Sequence, residues 1–220
     1  MNVAPWLAGL FGRALAPWGE LGCDVLLERS LLDDLPEAEP DAEVTLRLAR
    51  PADIDEISRL YSSDPWLYIL DGPPMPGSDE KARELYLDRL RRGELCFLAM
   101  SGNTIAHVNW ICFTRGEALP EHPIRLRKGE VYTTDALTLP AFRGKNLHAF
   151  VLRAMLAHAR ARGYQRAYTL ARIDRTDTYK GLFQLGWREC GRVIYFLPSG
   201  RTKAWFLWRQ GKLEPLFRIA

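Results

Sequence analysis

Between Val131 and Trp187 the chain reads, in order, as a strand, a tight turn, a long helix, a strand, a short helix and a Gly-Trp pair. Val131 to Leu139 is a strand-like run closed by Pro140, and Arg143-Gly144-Lys145 forms the turn. From Lys145 to Arg162, apolar Leu147, Val151, Leu152, Met155 and Leu156 recur at helical spacing, and Gly163 ends the pattern as a C-cap. Arg166 to Arg172 is the next strand, and Asp174 or Thr176 caps a short helix that ends near Leu185-Gly186. A strand joined to a strand through a helix must form a crossover inside one sheet, so an all-helical or purely hairpin-built fold is excluded.

The rest of the chain builds around that crossover. Cys23 to Arg29 reads as a strand, and the Pro- and acid-rich stretch Leu35 to Glu43 reads as a linker. Val44 to Leu48 alternates like a half-buried strand. Pro51 and Asp53 then open a helix with Ile54, Ile57, Leu60 and Tyr61 on one face. Trp66 to Met75 lies in a Pro-rich loop. Ser78 opens a second helix that buries Ala82, Leu85, Tyr86 and Leu90. Leu95 to Met100 and Thr104 to Phe113 form a hairpin about Ser101-Gly102-Asn103, and Arg192 to Leu197 with Lys203 to Arg209 form a closing hairpin. The expected fold is α/β (α+β): a mixed, mostly antiparallel sheet with a central β-α-β crossover and helices on both faces. Residues 1–43 form an N-terminal extension of helix, strand and linker, and residues 44–220 the main domain.

Composition narrows the partners. A net charge of +3 spread over the chain does not make a nucleic-acid binder. The four cysteines form no C-x-x-C pair, so zinc-ribbon and thioredoxin-like sites are excluded and no metal is expected. Cys96 and Cys112 sit in apolar strands as core residues, and a reducing cytoplasm is the simplest compartment. Met1 to Trp18 carries Trp6, Leu7, Leu10, Phe11, Leu15 and Trp18 around Arg13. It is too short and too broken to span a membrane, and is a poor signal peptide. It reads as a helix docked on the domain or on a second copy, in preference to a membrane-surface helix. Trp205, Phe206, Leu207 and Trp208 in the final hairpin are apolar enough for a homodimer contact.

A helix that begins directly after Arg143-Gly144-Lys145 leaves consecutive N–H groups free beside two cations, which is an anion site of a size to take a pyrophosphate. The order of elements and the segment Arg143-Gly144-Lys145-Asn146-Leu147-His148 resemble the GCN5-related N-acetyltransferase (GNAT) superfamily, whose fingerprint is Arg/Gln-x-x-Gly-x-Gly/Ala between its fourth strand and third helix. Thr178 to Trp187, with Gly186-Trp187, is similar to the family's short helix ending in Gly-Phe. The resemblance runs from about Val44 to Arg209. It implies acetyl-CoA as co-substrate, with its pyrophosphate held by the amides of residues 143–148 and its pantetheine arm held along Leu137-Thr138. An amine acceptor would attack the thioester carbonyl directly, and a fixed donor at that carbonyl would favour the transition state. Asn146 stands in place of the second motif glycine and tolerates a left-handed backbone. His148 stands in place of the last small residue, with its ring turned away or onto the cofactor.

The acid–base groups are open at this point. The family's tyrosine general acid falls on Leu182, and Tyr179, one helical turn earlier, is its substitute. The family's carboxylate falls on Thr134. Asp135 is adjacent and reaches the same face only if a bulge re-aims it. His107 shares a strand face with Asn109, Ile105 and Ile111, and is either a base in the cleft or a hydrogen-bonded core histidine. The alternative to an enzyme is a CoA- or acyl-CoA-binding module without turnover that acts through protein partners.

Overall fold

The computed structural model describes residues 18–62, 79–113, 126–172, 181–198, 205–209 and 212–218. The expected N-terminal helix, the loop Trp66 to Met75 and Tyr179 lie outside them. The strands are β1 (Gly19–Ser30), β2 (Thr45–Leu48), β3 (Leu95–Ser101), β4 (Thr104–Cys112), β5 (Glu130–Thr138), β6 (Arg166–Arg172), β7 (Arg188–Pro198), β8 (Trp205–Arg209) and β9 (Lys212–Arg218). The helices are α1 (Ile54–Ser62), entered through the turn Pro51–Asp53, α2 (Asp79–Arg91) and α3 (Leu147–Ala161). Residues 181–184 are also helical.

Among the described residues one nine-stranded sheet runs in the order β2-β3-β4-β5-β6-β1-β7-β8-β9. The pair β5–β6, joined through α3, is parallel, and the other pairs are antiparallel. The expected fold class is therefore the observed one. β9 is an addition to the expected closing hairpin. It carries Pro215, which an edge strand tolerates because no further strand needs its missing N–H.

Each face is covered by the helices whose apolar stripes fit it. Ile54 and Ile57 of α1 and Tyr86 of α2 pack on Leu98, Val108, Trp110 and Leu137. On the other face Val151, Leu152, Met155 and Leu156 of α3 pack on Phe97, Ala99, Ile111 and Val131. Leu182, Leu185 and Trp187 join this second core. Burying side chains of this size stabilises by about 1.5–3 kcal/mol each.

β1 lies between β6 and β7, antiparallel to both. The stretch after it does not hang loose. Asn146 Nδ2, Arg153 Nε and Arg160 Nη1 donate to the carbonyls of Glu39, Pro36 and Asp33, at 2.8, 3.1 and 3.3 Å. The donors step along the helix by two turns, about 10.5 Å, while three extended residues span about 10 Å, so the two registers match. Ala38, within this strap, is buried in the core that α3 covers. The Pro- and acid-rich stretch read as a linker is thus bound along α3.

Gly186, φ +81°, ends the turn after residues 181–184, and the guanidinium of Arg29 occupies the place a Cβ would take. Arg29 Nη1 donates to the Leu185 carbonyl and Nη2 to Asp34 O at 2.6 Å. This arginine ties the Gly-Trp turn and the start of the strap to β1.

Candidate active site

The parallel ladder between β5 and β6 runs from Glu130 opposite Arg166 to Thr133 opposite Thr169 and stops there. β5 continues to Thr138, paired among the described residues only with β4 on its other side. The two strands therefore part at their C-terminal ends, where ligands of open α/β sheets enter.

The parting begins at a bulge. On β4, Trp110 faces Thr134 and Val108 faces Leu137, so Asp135 and Ala136 together stand opposite Asn109. Asp135 has φ +52°, at a position where bulges of this kind ordinarily carry glycine. The extra residue brings the Asp135 carboxylate to the α2 side of the sheet. There it forms an ion pair with Arg89, and its carbonyl accepts the hydroxyl of Tyr61 from α1. Arg89 Nε also donates to Glu94 Oε2 at 2.7 Å, and the guanidinium lies 4.4 Å over the Trp110 ring. Asp135 and Glu94 bracket the arginine in burial, at 7% and 3% side-chain exposure against 4%. Burial works against the charge on Arg89, but Asp135 and Glu94 hold its pKa well above the ordinary arginine value. Tyr61 is pushed up by burial and by the nearby Asp135 charge, so its hydroxyl stays protonated as a donor.

At the other corner, Gly144 and Asn146 take φ +74° and +55°. Asn146 is the N-cap of α3, yet its side chain caps nothing, because the amide is turned to the Glu39 carbonyl. The carbonyl before it, Lys145 O, accepts from Asp41 N at 3.0 Å. The left-handed Asn146 keeps residues 145 and 146 out of the helix, so α3 starts at Leu147 rather than at the expected Lys145. The first amides of the helix, at Leu147, His148 and Ala149, have no acceptor within it. Arg143 is exposed, and its Nε donates to Thr138 O at 3.3 Å, joining the loop to the end of β5. Lys145 Nζ lies 5.2 Å over the Phe142 ring.

His107 is buried on the α3 side, with Nδ1 2.7 Å from Thr138 Oγ1 and its ring 5.6 Å from that of His148. Burial, and then the neighbouring His148, pull the His107 pKa well below the ordinary histidine value. Burial alone takes His148 down to about 4. Both rings are neutral near pH 7, and His148 lies against β4 rather than in solvent. The face shared by His107, Asn109 and Ile111 does not include Ile105. A bulge opposite Ala99-Met100 turns Ile105 to the α1/α2 side. Leu182, in the slot of the family's tyrosine, is a core residue. Among the described residues no three His, Cys, Asp or Glu side chains are grouped to hold a metal ion. No helix among them is long and apolar enough to cross a membrane.

The structure thus brings Arg143 and His107 to Thr138 at the end of β5, and puts Asp135 and Leu137 in the stretch of β5 beyond its ladder with β6, with Leu137 buried in the core under α1 and α2. Sequence reasoning missed Arg89 and the strap, and placed Tyr61 on the packed face of its helix without a role at the bulge. Arg89 follows Leu85 by four and Tyr86 by three, which is the signal that it shares their buried face.

No family model matches the chain, and no curated protein matches it by sequence. Solved structures do match. A GCN5-related N-acetyltransferase from Sphaerobacter thermophilus aligns with a TM-score of 0.60 at 13% identity, over 84% of this chain and 55% of its own. Ribosomal-protein-alanine N-acetyltransferase from Brucella melitensis aligns with a TM-score of 0.57 at 16% identity, over 77% of this chain and 99% of its own. The fold is that of the GNAT acetyltransferases. AAC(6')-Iy, solved with the bisubstrate analog CoA-S-monomethyl-acetylneamine, aligns with a TM-score of 0.50 at 14% identity, covering 67% of this chain and 92% of its own. The chain thus spans about half the length of the Sphaerobacter GNAT protein and nearly all of the Brucella one.

Proposed function

We propose that the chain is an acetyl-CoA-dependent N-acyltransferase that moves an acetyl group to a primary amine by direct attack. The observation that carries this reading is the corner at Asn146. An N-cap asparagine commits its amide to the strap, so the amides that follow are left for a ligand, with Arg143 and Lys145 beside them. A helix N-terminus of that kind binds a diphosphate. The opening between β5 and β6 leads from it and supports the second half of the reading, a site for the pantetheine arm along Leu137 and Thr138. The GNAT neighbours support acyl transfer in general, and one of them was solved with the bisubstrate analog CoA-S-monomethyl-acetylneamine.

In this reading the amides of Gly144, Lys145, Asn146, Leu147 and His148 take the diphosphate, and Arg143 closes the loop onto β5. Acetyl-CoA supplies the activated acyl group. The β5 main chain beyond the bulge donates to the thioester oxygen as charge develops there. The amine nitrogen attacks the thioester carbon, the C–S bond breaks, Tyr179 gives its proton to the departing thiolate, and the proton lost by the amine nitrogen passes through water to the tyrosinate, leaving the amide and the CoA thiol. His107, buried and tied to Thr138, orients that threonine rather than taking the amine's proton.

Calorimetric titration with CoA tests the site. Binding in the micromolar range is expected, and no binding at millimolar CoA defeats the reading. Steady acetyl transfer across a panel of amines then removes the alternative of a CoA-binding module without turnover.

A further inference from the structure

Asp135 stands where a general base is wanted, yet its surroundings give it other work. Its carboxylate faces Arg89 of α2, and the same guanidinium holds Glu94 at 2.7 Å. Its carbonyl receives the Tyr61 hydroxyl of α1. Two helices thus grip one residue, at its side chain and at its main chain. That residue has φ +52° in the bulge from which β5 and β6 part. A base must present a lone pair to the amine, and a carboxylate held by a buried arginine presents it poorly. An aspartate in a left-handed bulge tolerates that conformation better than most L residues but still at a cost, and an external grip offsets it.

We propose that Arg89, Tyr61 and Asp135 form a clamp that sets the β5 bulge, and that Asp135 is a positioning residue rather than the base. The clamp aims the main-chain donors after Asp135 at the acyl carbonyl. The proposal rests on the acyl-transfer reading and gives it a geometric control. It also ties α1 and α2 to the donor strand, so anything that shifts either helix moves the donor.

The test uses the whole chain with acetyl-CoA and CoA as probes. Affinities come from calorimetry, turnover from the best amine of a panel, and carbonyl hydrogen bonding from the infrared band of carbonyl-labelled acetyl-CoA. Asp135→Ala removes both the grip and the tolerance for positive φ. It is expected to weaken acetyl-CoA binding about tenfold, to leave CoA affinity within about threefold, and to move the carbonyl band toward that of free acetyl-CoA. Asp135→Asn still accepts from Arg89 and tolerates the left-handed backbone. It is expected to recover most of the loss, with turnover reduced less than about tenfold and the acidic limb of the pH–rate profile in place. Tyr61→Phe, which deletes one hydroxyl, is expected to lower acetyl-CoA affinity several-fold and leave CoA affinity unchanged. A hundredfold loss of turnover in Asp135→Asn with acetyl-CoA affinity intact would overturn the proposal and make Asp135 the base. The Asn variant decides this even if Asp135→Ala does not fold. Wild-type protein that binds neither ligand at millimolar concentration defeats the acyl-transfer reading itself, a different outcome from an inactive Asn variant.

Discussion

Asp135 and Asn146 share a backbone state that L residues avoid, with φ +52° and +55°, and they flank the same opening. Asp135 is held from inside, by a buried guanidinium and a buried hydroxyl supplied by α1 and α2. Asn146 is held from outside, by an exposed amide bonded to the main chain of the strap. The inner corner depends on charge in a low-dielectric setting, so removing one partner leaves another stranded. The outer corner depends on neutral bonds at the surface, where water replaces whatever is lost. The first corner should therefore be stiff and costly to change, and the second tolerant.

The largest effect expected follows Arg89→Met. It strands Asp135 and Glu94 in the core and should cost about 3–5 kcal/mol in urea unfolding. Adding Asp135→Asn and Glu94→Gln should restore part of that loss. Recovery of nothing would mean that packing, not charge, dominates the inner corner. Gly144→Asp comes next. An ideal Cβ there meets no atom within 4 Å, but φ +74° strains any L residue, so CoA affinity is read on the folded variant with its stability measured beside it. It should weaken CoA binding by about 1–3 kcal/mol, the scale of a repelled or unpaired charge, and unchanged CoA affinity in titration speaks against the loop. Asn146→Ala should cost about 1–2 kcal/mol of stability, the cost of a left-handed L residue, while Asn146→Gly should cost about half as much or less. Equal losses in the two variants would show that the strap bond, not the backbone state, governs the outer corner.

The histidine pair gives the smallest effect at neutral pH. The folded pKa of His148 is lowered by burial from 6.5 to about 4, so below pH 6.5 the unfolded chain binds more protons than the folded one. Stability should then fall as the pH drops from about 6.5 toward 4. His148→Ala should flatten that part of a thermal-unfolding profile, and an unchanged slope would show that His148 is not its source.

How far the sequence carries depends on which physical signal each element leaves. Period-two runs and a Gly-Asn turn located β3 and β4, and the helical stripe from Leu147 to Leu156 located α3, because packing against a sheet demands those periods. Bulges escaped the same logic. One extra residue near Ala106 moved Ile105 to the opposite face, and strict alternation cannot foresee where a bulge falls. Leu35 to Glu43 has the composition of a loose connector. Its docking is written in donors on α3 at positions 146, 153 and 160, far away in the sequence. The loop at residues 143–146 was readable because Gly and Asn mark positive φ. The inner clamp was not, because an arginine on an apolar helix face gives no sign of the carboxylates it will meet.

The place of β1 has a consequence for how the chain is made. It leaves the ribosome well before the two strands it must lie between, and its Arg29 bonds to a carbonyl 156 positions later. Until β6 and β7 are synthesised, β1 has both edges unpaired. Closing the sheet then means threading an early segment between late ones, a long-range step that makes assembly slow and exposes the nascent protein to aggregation.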